Sequence, residues 1–385
     1  MRERVIIQMK DLKEIALYIH IPFCKQKCFY CDFPSYASLD HLKDDYVDAL
    51  CKEIDEKVTD YKIKSIFIGG GTPSYLEINQ IYKLLKTISK LNLTENMEFT
   101  MECNPGALEK EKLETMLIGG VNRISMGLQA VQNSLLKDIG RIHSFKQFEE
   151  NFNLARKVGF KNINVDLMFG LPNQKVDEWK ESLETIAKLN PEHISAYSLI
   201  IEEGTAFYKL WERNKLILPS EDDEREMYST TKEILKEHGY NQYEISNYAK
   251  PGYECYHNKV YWRCDDYLGV GSASSSFIDG KRIKNIEDVK SYIEKVNSNE
   301  SVIEEVIENS KEDNMEEFIF MGLRMNVGVS INEFKGRFGI HINSIYKDVI
   351  EKNINKKLLV LENDILRLTD KGIELSNLVM SDFIL

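Results

Sequence analysis

The sequence has no long apolar run, no excess of positive charge and no regular set of paired cysteines. The start of the chain, from Met1 to Lys13, is charged, and its apolar run Val5-Ile6-Ile7 is short. A transmembrane helix needs about 20 apolar residues, and the core of a signal peptide needs about 7 to 15. We therefore expect neither a secretory signal nor a membrane span.

The net charge and the cysteine count exclude further classes of protein. The 385 residues carry a net charge of −12, whereas broad binding to a phosphate backbone needs clustered positive charge. The seven cysteines are odd in number and unevenly spread, which does not suggest a disulfide framework. We therefore expect a reducing, cytoplasmic location. The chain is 43% hydrophobic, which suffices for a sizeable core, and its length predicts two or three domains.

Three of the cysteines lie close together. Cys24, Cys28 and Cys31 are spaced C-x3-C-x2-C, and Phe33 holds the place where a fourth thiol would follow. The short intervals bring the sulfurs toward one point, which suits an iron–sulfur cluster with one iron left free for a small ligand. The alternative is zinc, which would need His20 or a remote residue as a fourth ligand.

Strand and helix patterns alternate through the first 205 residues. Six strands are predicted, at 17–21, 65–68, 98–102, 123–129, 162–169 and 193–200. The helices between them are predicted at 41–58, 77–91, 109–118, 145–158 and 177–189. Such alternation is typical of a parallel α/β architecture, and six units of unequal spacing favour a partial (β/α)6 TIM-like barrel.

Polar or glycine-rich segments follow the predicted strands. The cysteines follow the first strand, and the next four strands lead into GGGTP, ECNP, GLQ and FGLP. The carboxyl ends of parallel strands lie at one edge of a barrel, and that edge is where active sites form. We therefore predict one composite site at this edge, in a domain of residues 1–205.

The pattern changes in residues 206–305, which are predicted to be an accessory α+β region. A helix is expected at 207–216, and an aromatic-rich segment at 253–262 precedes a hairpin at 277–284. Between them, GVGSAS resembles a dinucleotide-binding fingerprint only weakly. It lacks the third glycine and a clear preceding strand.

The last part of the chain, residues 306–385, has the order of a winged-helix-like domain. Helices are predicted near 314–326, 330–338 and 342–352, before a hairpin. A polar stretch at 297–313 is the predicted linker. The candidate recognition helix has mixed charge, which favours packing or partner docking over DNA binding.

The cysteine spacing after a first strand, with Tyr30 before the last thiol, resembles the radical S-adenosylmethionine (SAM) superfamily. The resemblance implies that Cys24, Cys28 and Cys31 hold a [4Fe–4S] cluster whose open iron chelates SAM. It further implies cleavage of SAM to methionine and a 5′-deoxyadenosyl radical. GGGTPS is similar to the superfamily's SAM amino-group motif, although a structural turn explains its glycines equally well.

Longer segments resemble the coproporphyrinogen-dehydrogenase branch of this superfamily. They cover most of the chain and read YIHIPFC, GGGTPS, ECNP, RISMGLQ, DLMFGLP and GVGSAS. The resemblance implies that SAM is contacted by Tyr18, Tyr30, Gly71, Thr72, Glu102, Gln129, Arg141 and Asp166. Taken singly, the polar residues at strand ends are explained as well by solvation or capping.

Two features are similar to a particular group within that branch. The oxygen-independent coproporphyrinogen dehydrogenases usually read C-x3-C-x2-C-x-C, but Phe33 replaces the fourth cysteine here. The segment HNKVYW at 257–262 is similar to the H-N-x-x-Y-W pattern of the HemW-type haem chaperones. The resemblance is therefore closest to the HemW type and implies haem as a further ligand.

His257 is the candidate haem ligand that this resemblance implies. An imidazole among aromatic rings suits an axial ligand, with the rings packing on the porphyrin. The residues alone favour a histidine hydrogen-bonded within an aromatic core, and the motif reverses that preference. Cys255 and Cys264 flank the segment as weaker, thiolate candidates.

The resemblance as a whole implies a cytoplasmic haem chaperone of the radical SAM type. Its implied partners are haem, acceptor haemoproteins and an electron donor, with peripheral membrane contact only through partners and no nucleic acid. The alternative is an enzyme, an oxygen-independent coproporphyrinogen III oxidase whose radical abstracts hydrogen from propionate side chains. Radical modification of RNA is a third reading, which the acidic net charge disfavours.

Overall fold

The computed structural model describes residues 12–384, so the expectation about the start of the chain falls almost wholly outside the described residues. The strands within this range, in chain order, are β1 (Lys13–Ile21), β2 (Tyr61–Gly70), β3 (Asn92–Cys103), β4 (Arg123–Gln129), β5 (Ile163–Phe169), β6 (His193–Ser198), β7 (Asn241–Glu244), β8 (Asn247–Ala249), β9 (Tyr267–Val270), β10 (Ser275–Ile278), β11 (Lys281–Asn285), β12 (Ile303–Glu308), β13 (Val329–Ser330), β14 (Leu359–Glu362) and β15 (Ile365–Leu368).

Helices alternate with these strands in the first part of the chain and continue to its C-terminal region. In order, they are α1 (Lys43–Lys57), α2 (Ile78–Ile88), α3 (Lys110–Ile118), α4 (Asn133–Asp138), α5 (Phe145–Val158), α6 (Val176–Leu189), α7 (Ala206–Trp211), α8 (Glu221–Glu237), α9 (Tyr256–Trp262), α10 (Val289–Asn297), α11 (Lys311–Leu323), α12 (Ile331–Phe338), α13 (Asn343–Asn355), α14 (Asp370–Glu374) and α15 (Ser376–Ser381). In the part of the chain that the structure describes, no helix has both the length and the apolar character needed to cross a bilayer.

Most predicted elements are confirmed within a few residues. The strand predicted at 123–129 and the helix predicted at 145–158 have those bounds in β4 and α5. The helix predicted at 207–216 is wrong in length, because α7 ends at Trp211. Asn214 follows with a φ of 52°, a left-handed conformation that terminates helices.

The strands β1 to β6 lie side by side in chain order and are all parallel. They form the centre of a twelve-stranded mixed sheet, with β9 parallel to β1 on one side and β8 antiparallel to β6 on the other. The sheet order is β12-β11-β10-β9-β1-β2-β3-β4-β5-β6-β8-β7. The predicted partial barrel is therefore confirmed, and its strands all present their carboxyl ends at one edge.

Apolar side chains from the strands and the surrounding helices form one core. Ile19 of β1, Ile68 of β2 and Ile124 of β4 are fully buried. Leu50 of α1 and Leu84 of α2 join the same cluster. Each such side chain contributes about 1.5–3 kcal/mol by leaving water, so this core fixes the strand ends that carry the polar segments.

Two sequence-based readings need correction beyond the barrel. GVGSAS begins within a strand, because its first two residues are the last two of β9, and the strand β10 rather than a helix follows it, so the dinucleotide reading gains no support. The linker predicted at 297–313 is wrong at its centre, where Ile303–Glu308 form β12 and pair with β11. The domain boundaries stay predictions, and the one at 305/306 falls inside β12.

The C-terminal region has its own small sheet and apolar cluster. Its three strands have the order β13-β15-β14, and α11, α12 and α13 pack around them. Phe318, Phe334 and Tyr346 are buried in this cluster together with Leu366. This confirms the winged-helix-like order of three helices and a hairpin.

Candidate functional site

A cleft opens at the carboxyl edge of the parallel strands, where the sequence predicted a composite site. Residues from the cysteine loop and from, or just after, the five strands β2 to β6 line it together. The lining includes ten of the predicted site residues: Cys24, Cys28, Tyr30, Cys31, Gly71, Thr72, Glu102, Gln129, Arg141 and Asp166. The fold thus brings side chains from residues 24 to 166 to one place.

The cysteine loop is held on both sides by backbone hydrogen bonds. The Cys24 N–H donates to Tyr36 O at 3.0 Å, and the Phe29 N–H donates to Ile139 O at 3.1 Å. Cys24 is buried, whereas Cys28 and Cys31 are half-buried. Burial raises the pKa of the Cys31 thiol to about 11. Such a thiol becomes a thiolate when it ligates a metal, which is the chemistry that a cluster requires of it.

Gly71 allows the GGGTP segment to approach the cysteine loop closely. A Cβ at this position would lie 2.7 Å from Phe23 O and 3.0 Å from Cys24 Sγ, so a larger residue does not fit. The Gly71 N–H donates to Ile21 O at 2.8 Å, and Thr72 Oγ1 lies 3.5 Å from Cys24 Sγ. Gly71 is therefore required by its close approach to Phe23 O and to the Cys24 thiol.

Glu102 lies near the end of β3 and faces the cleft. The Gly70 N–H donates to its Oε2 at 3.1 Å. The pKa of Glu102 is raised to about 8, mainly by desolvation and also by the charge of Asp166, while the Gly70 hydrogen bond and Arg123 partly oppose the rise. The carboxyl group is consequently protonated at neutral pH in the folded chain and offers both a donor and an acceptor.

Asp166 lies at the middle of β5 and is held by neighbouring polar side chains. Asn164 Nδ2 donates to its Oδ1 at 2.7 Å, and Ser125 Oγ donates to its Oδ2 at 3.1 Å. Burial raises the pKa of Asp166, and hydrogen bonds from Asn164, Ser195 and Ser125 counteract the rise. These donors fix the orientation of the carboxyl group in the cleft.

Gln129 has a strained backbone at the end of β4. Its φ is 79°, and the register between β4 and β5 shifts between Gly127 and Gln129. The Tyr197 hydroxyl donates to Gln129 Oε1 at 3.0 Å. A left-handed conformation costs a residue other than glycine about 1–3 kcal/mol and is concentrated at functional sites. The strain therefore marks Gln129 as a positioned side chain.

Arg141 brings a positive charge to the cysteine loop. Its Nη1 donates to Cys28 Sγ at 3.5 Å, and its Nη2 donates to Asn104 Oδ1 at 2.6 Å and to Gly127 O. The Nε atom is buried and has no partner among the described residues. A guanidinium in this position can bind a carboxylate beside the cysteine loop.

Tyr18 is the predicted SAM residue that does not line the described cleft. Its hydroxyl lies 2.9 Å from His20 Nδ1, and its ring stacks on Phe67 with 6.4 Å between centroids. Burial raises the pKa of Tyr18, and the charge of Glu102 adds to the rise. Direct contact of Tyr18 with SAM stays a prediction.

His257, the candidate haem ligand, is buried away from the cleft. Its Nδ1 lies 2.9 Å from Ser65 Oγ, and its Nε2 lies 2.9 Å from the Tyr261 hydroxyl. Its ring packs against Phe67 at 5.3 Å, and burial lowers its pKa to about 3. Because both nitrogens are engaged, the geometry agrees with the hydrogen-bonded core histidine and not with a ligand nitrogen ready for haem iron.

The two flanking thiols are no better placed for haem. Cys255 is fully buried, and its Sγ donates to Glu98 Oε1 at 3.2 Å. Burial raises the pKa of both Cys255 and Cys264 to about 12. Within residues 12–384 no three His, Cys, Asp or Glu side chains, Cys24, Cys28 and Cys31 included, are grouped closely enough to hold a single metal ion.

Comparison with known proteins identifies the family. Residues 18–186 match the radical SAM superfamily, and residues 309–375 match the HemN C-terminal domain. The heme chaperone HemW of Lactococcus lactis is 39% identical over 97% of this chain and 98% of its own length. The HemW of Bacillus subtilis is 38% identical over 96% and 99%, and that of Escherichia coli is 40% identical over 72% and 74%.

The chain belongs to the HemW family of the radical SAM superfamily. Membership of the superfamily implies a [4Fe–4S] cluster and SAM as cofactors. The fold is also that of the coproporphyrinogen III oxidase HemN of Escherichia coli, with a TM-score of 0.85 and 23% identity over 97% of this chain and 90% of that one. The sequence-based assignment to this branch, and its partial barrel, are therefore confirmed.

The HemW-family cleft also contains residues that sequence reasoning did not single out. They are Asn104, Ser125 and Tyr197, and a second cavity beside the cleft adds Arg123 and Asn258. Four of the five lie in the motifs ECNP, RISMGLQ and HNKVYW. The sequence therefore indicated that these segments belong to the site, but it did not indicate which of their residues line it. Nothing in the sequence around Tyr197 distinguishes it from any other strand tyrosine.

Proposed function

We propose that this chain is a haem chaperone that binds a [4Fe–4S] cluster, SAM and haem and passes the haem to haemoproteins. The observation that carries this proposal is the similarity to relatives named as heme chaperones, which extends over 97% of the chain at 39% identity. Acceptor haemoproteins, an electron donor, a cytoplasmic location and membrane contact through partners belong to the proposal as predictions.

The cleft has the donor set that the cluster and SAM need. Cys24, Cys28 and Cys31 would hold three irons, and a cluster with SAM bound supplies one-electron and radical chemistry. Gly71 lies beside Cys24 at the edge of the cleft. A side chain at this position would come too close to the Cys24 sulfur, so the glycine leaves space for the cluster. Arg141 adds a positive charge near Cys28, whose sulfur accepts a hydrogen bond from the guanidinium.

The remaining polar groups of the cleft suit a zwitterionic amino-acid head group. Glu102 and Asp166 offer carboxyl oxygens to an ammonium or hydroxyl donor, and Arg141 offers an N–H group to a carboxylate. Gln129 offers an amide whose oxygen already accepts a bond from Tyr197. These side chains would orient SAM against the cysteine loop and limit the access of water.

The alternative function is oxygen-independent coproporphyrinogen III oxidation. The structural likeness to HemN shows that the two proteins share a fold. Because they are only 23% identical, the likeness does not indicate a shared activity. Phe33 occupies the fourth cysteine position, and its side chain is 58% exposed at the rim of the cleft. A phenyl ring cannot supply the thiol chemistry of that position, which favours the chaperone.

The test is an anaerobic haem titration of reconstituted protein, followed by Soret absorbance. We expect saturable binding of haem and no conversion of coproporphyrinogen III in the presence of SAM and a reductant. Lack of haem binding would remove the chaperone proposal. Turnover of the porphyrinogen with SAM cleavage would establish the oxidase instead. The exposed-site variant Arg225→Ala, on α8, provides a matched control for both measurements.

A further inference from the structure

Arg123 is a buried guanidinium with few partners. The side chain belongs to the first residue of β4 and is 1% exposed. Among the described residues it forms no ion pair within 4.0 Å, and its one hydrogen bond, from Nη1 to Thr100 Oγ1, is long at 3.4 Å. Its Nε atom has no partner there at all. Buried arginines are normally paired with an acid, because an isolated charge in the interior is costly.

This guanidinium lines a second cavity that adjoins the cleft. The cavity has a volume of about 440 Å³ and is continuous with the cleft, with which it shares seven lining residues: Tyr30, Cys31, Phe33, Glu102, Ser125, Asp166 and Tyr197. Its lining includes both Cys31 of the cysteine loop and Arg123 at the start of β4. The cavity therefore connects the cysteine loop with a buried positive charge.

The walls of the second cavity combine an apolar body with a polar end. Phe67, Met168 and Leu199 supply apolar surface. The polar lining includes the neutral side chains of Asn164, Ser195, Asn247 and Asn258, the carboxyl groups of Asp32, Glu102, Asp166 and Glu202, and Arg123 as its one basic side chain among the described residues. The Asn247 Oδ1 atom is buried and has no partner among residues 12–384. An anionic arm of a largely apolar ligand would therefore bind at Arg123 and not elsewhere on these walls.

The acidic groups that face Arg123 do not neutralise it directly. The carboxylate of Glu98 accepts hydrogen bonds from Tyr256 N–H, His257 N–H and Cys255 Sγ. Asp166 is occupied by its own donors, described above. Glu102 holds a proton at neutral pH because desolvation raises its pKa to about 8. A ligand carboxylate would therefore find an available cationic donor.

We propose that Arg123 binds a carboxylate arm of the ligand in the second cavity, and that this ligand is haem held through a propionate. The identity of the ligand rests on the proposed chaperone function. A charge-assisted pair between guanidinium and carboxylate forms two parallel N–H···O bonds. Asn258, the second residue of HNKVYW, lines the same cavity and ties that motif to the ligand without using His257.

The test compares haem with haem dimethyl ester, which has the same ring and iron but no free carboxylate. The proteins are the reconstituted full chain, its Arg123→Gln variant and its Arg123→Lys variant. We expect Arg123→Gln to weaken haem binding at least tenfold, since a hydrogen bond to a charged group contributes about 1.5–3 kcal/mol. The ester should bind the wild type and the Gln variant equally, and Lys should restore part of the haem affinity.

Controls separate this inference from a folding defect and from the proposed function. Iron content and SAM binding of Arg123→Gln should match the wild type. Equal weakening of haem and ester, or unchanged haem affinity, would overturn the role of Arg123 while the chaperone function stands. Failure of the wild type to bind haem would overturn the chaperone function and this inference with it. Arg123→Lys keeps the charge and tests the role if the Gln variant does not fold.

Discussion

The Arg141 guanidinium lies 3.5 Å from Cys28 Sγ, and the two residues are 113 positions apart in the chain. The same guanidinium donates to Asn104 Oδ1 and Gly127 O, so it connects the cysteine loop to the ends of β3 and β4. A single side chain thus joins the predicted cluster ligands to the predicted SAM residues.

This contact predicts separate effects on SAM and on the cluster. Arg141→Ala should weaken SAM binding about tenfold or more, because a hydrogen bond to a charged group contributes about 1.5–3 kcal/mol. Iron content should fall little, since three thiols remain. Equilibrium dialysis with SAM and iron analysis measure the two effects. Unaltered SAM affinity would exclude a contact, and Arg225→Ala on exposed α8 is the matched control.

The cysteine assignment predicts a selective loss of the cluster. Cys28→Ala should abolish the about four irons and four sulfides per chain expected of a [4Fe–4S] protein after reconstitution. Cys51→Ala is the matched control, because Cys51 is buried within α1 and lies outside the cleft. Iron, sulfide and the visible absorption of the cluster give the measurement. A full cluster in Cys28→Ala would refute the ligand set.

Glu102 predicts a pH dependence of stability in the protein without cofactors. Its pKa is raised from 4.5 to about 8 on folding, so the folded chain binds more protons between these values. The free energy of unfolding should therefore fall as pH rises from 4.5 to about 8, and it should change little above that. Glu102→Gln should remove this contribution. Urea unfolding of both proteins at pH 5.5 and 8.5 tests it, and parallel pH profiles would contradict it.

Two adjacent residues of HNKVYW should behave in opposite ways. His257→Ala should lower the free energy of unfolding by about 2–4 kcal/mol, because it leaves Ser65 and Tyr261 without partners in the core. The Soret spectrum of bound haem should not change. Asn258→Ala should leave stability unchanged within about 0.5 kcal/mol and weaken haem binding.

Two outcomes would contradict the predictions for His257→Ala and Asn258→Ala. A shifted Soret band in His257→Ala, with haem still bound, would restore His257 as an axial ligand. Such a result would require α9 to open, since both imidazole nitrogens are engaged in the folded chain. If Asn258→Ala bound haem as tightly as the wild type, Asn258 would not contribute to haem binding in the second cavity.

Local patterns predicted much of the fold. The bounds of β4 and α5 follow from apolar periodicity and from flanking breakers, which are properties of neighbouring residues. The missed elements depend on distant partners. β12 is exposed along its whole length and acidic, and it is a strand only because β11 supplies its hydrogen bonds.

The sequence by itself determined the cysteine triplet, the order of strands and the edge at which the polar segments meet, because parallel strands must share that edge. Only the tertiary structure decided which side chains of those segments face the cleft. Successive residues on a helix point about 100° apart, so packing of α9 against β2 buries His257 and leaves Asn258 on the cavity. The same packing encloses Arg123 in the barrel, where no acid lies within ion-pair distance among the described residues and the guanidinium stays available to a ligand.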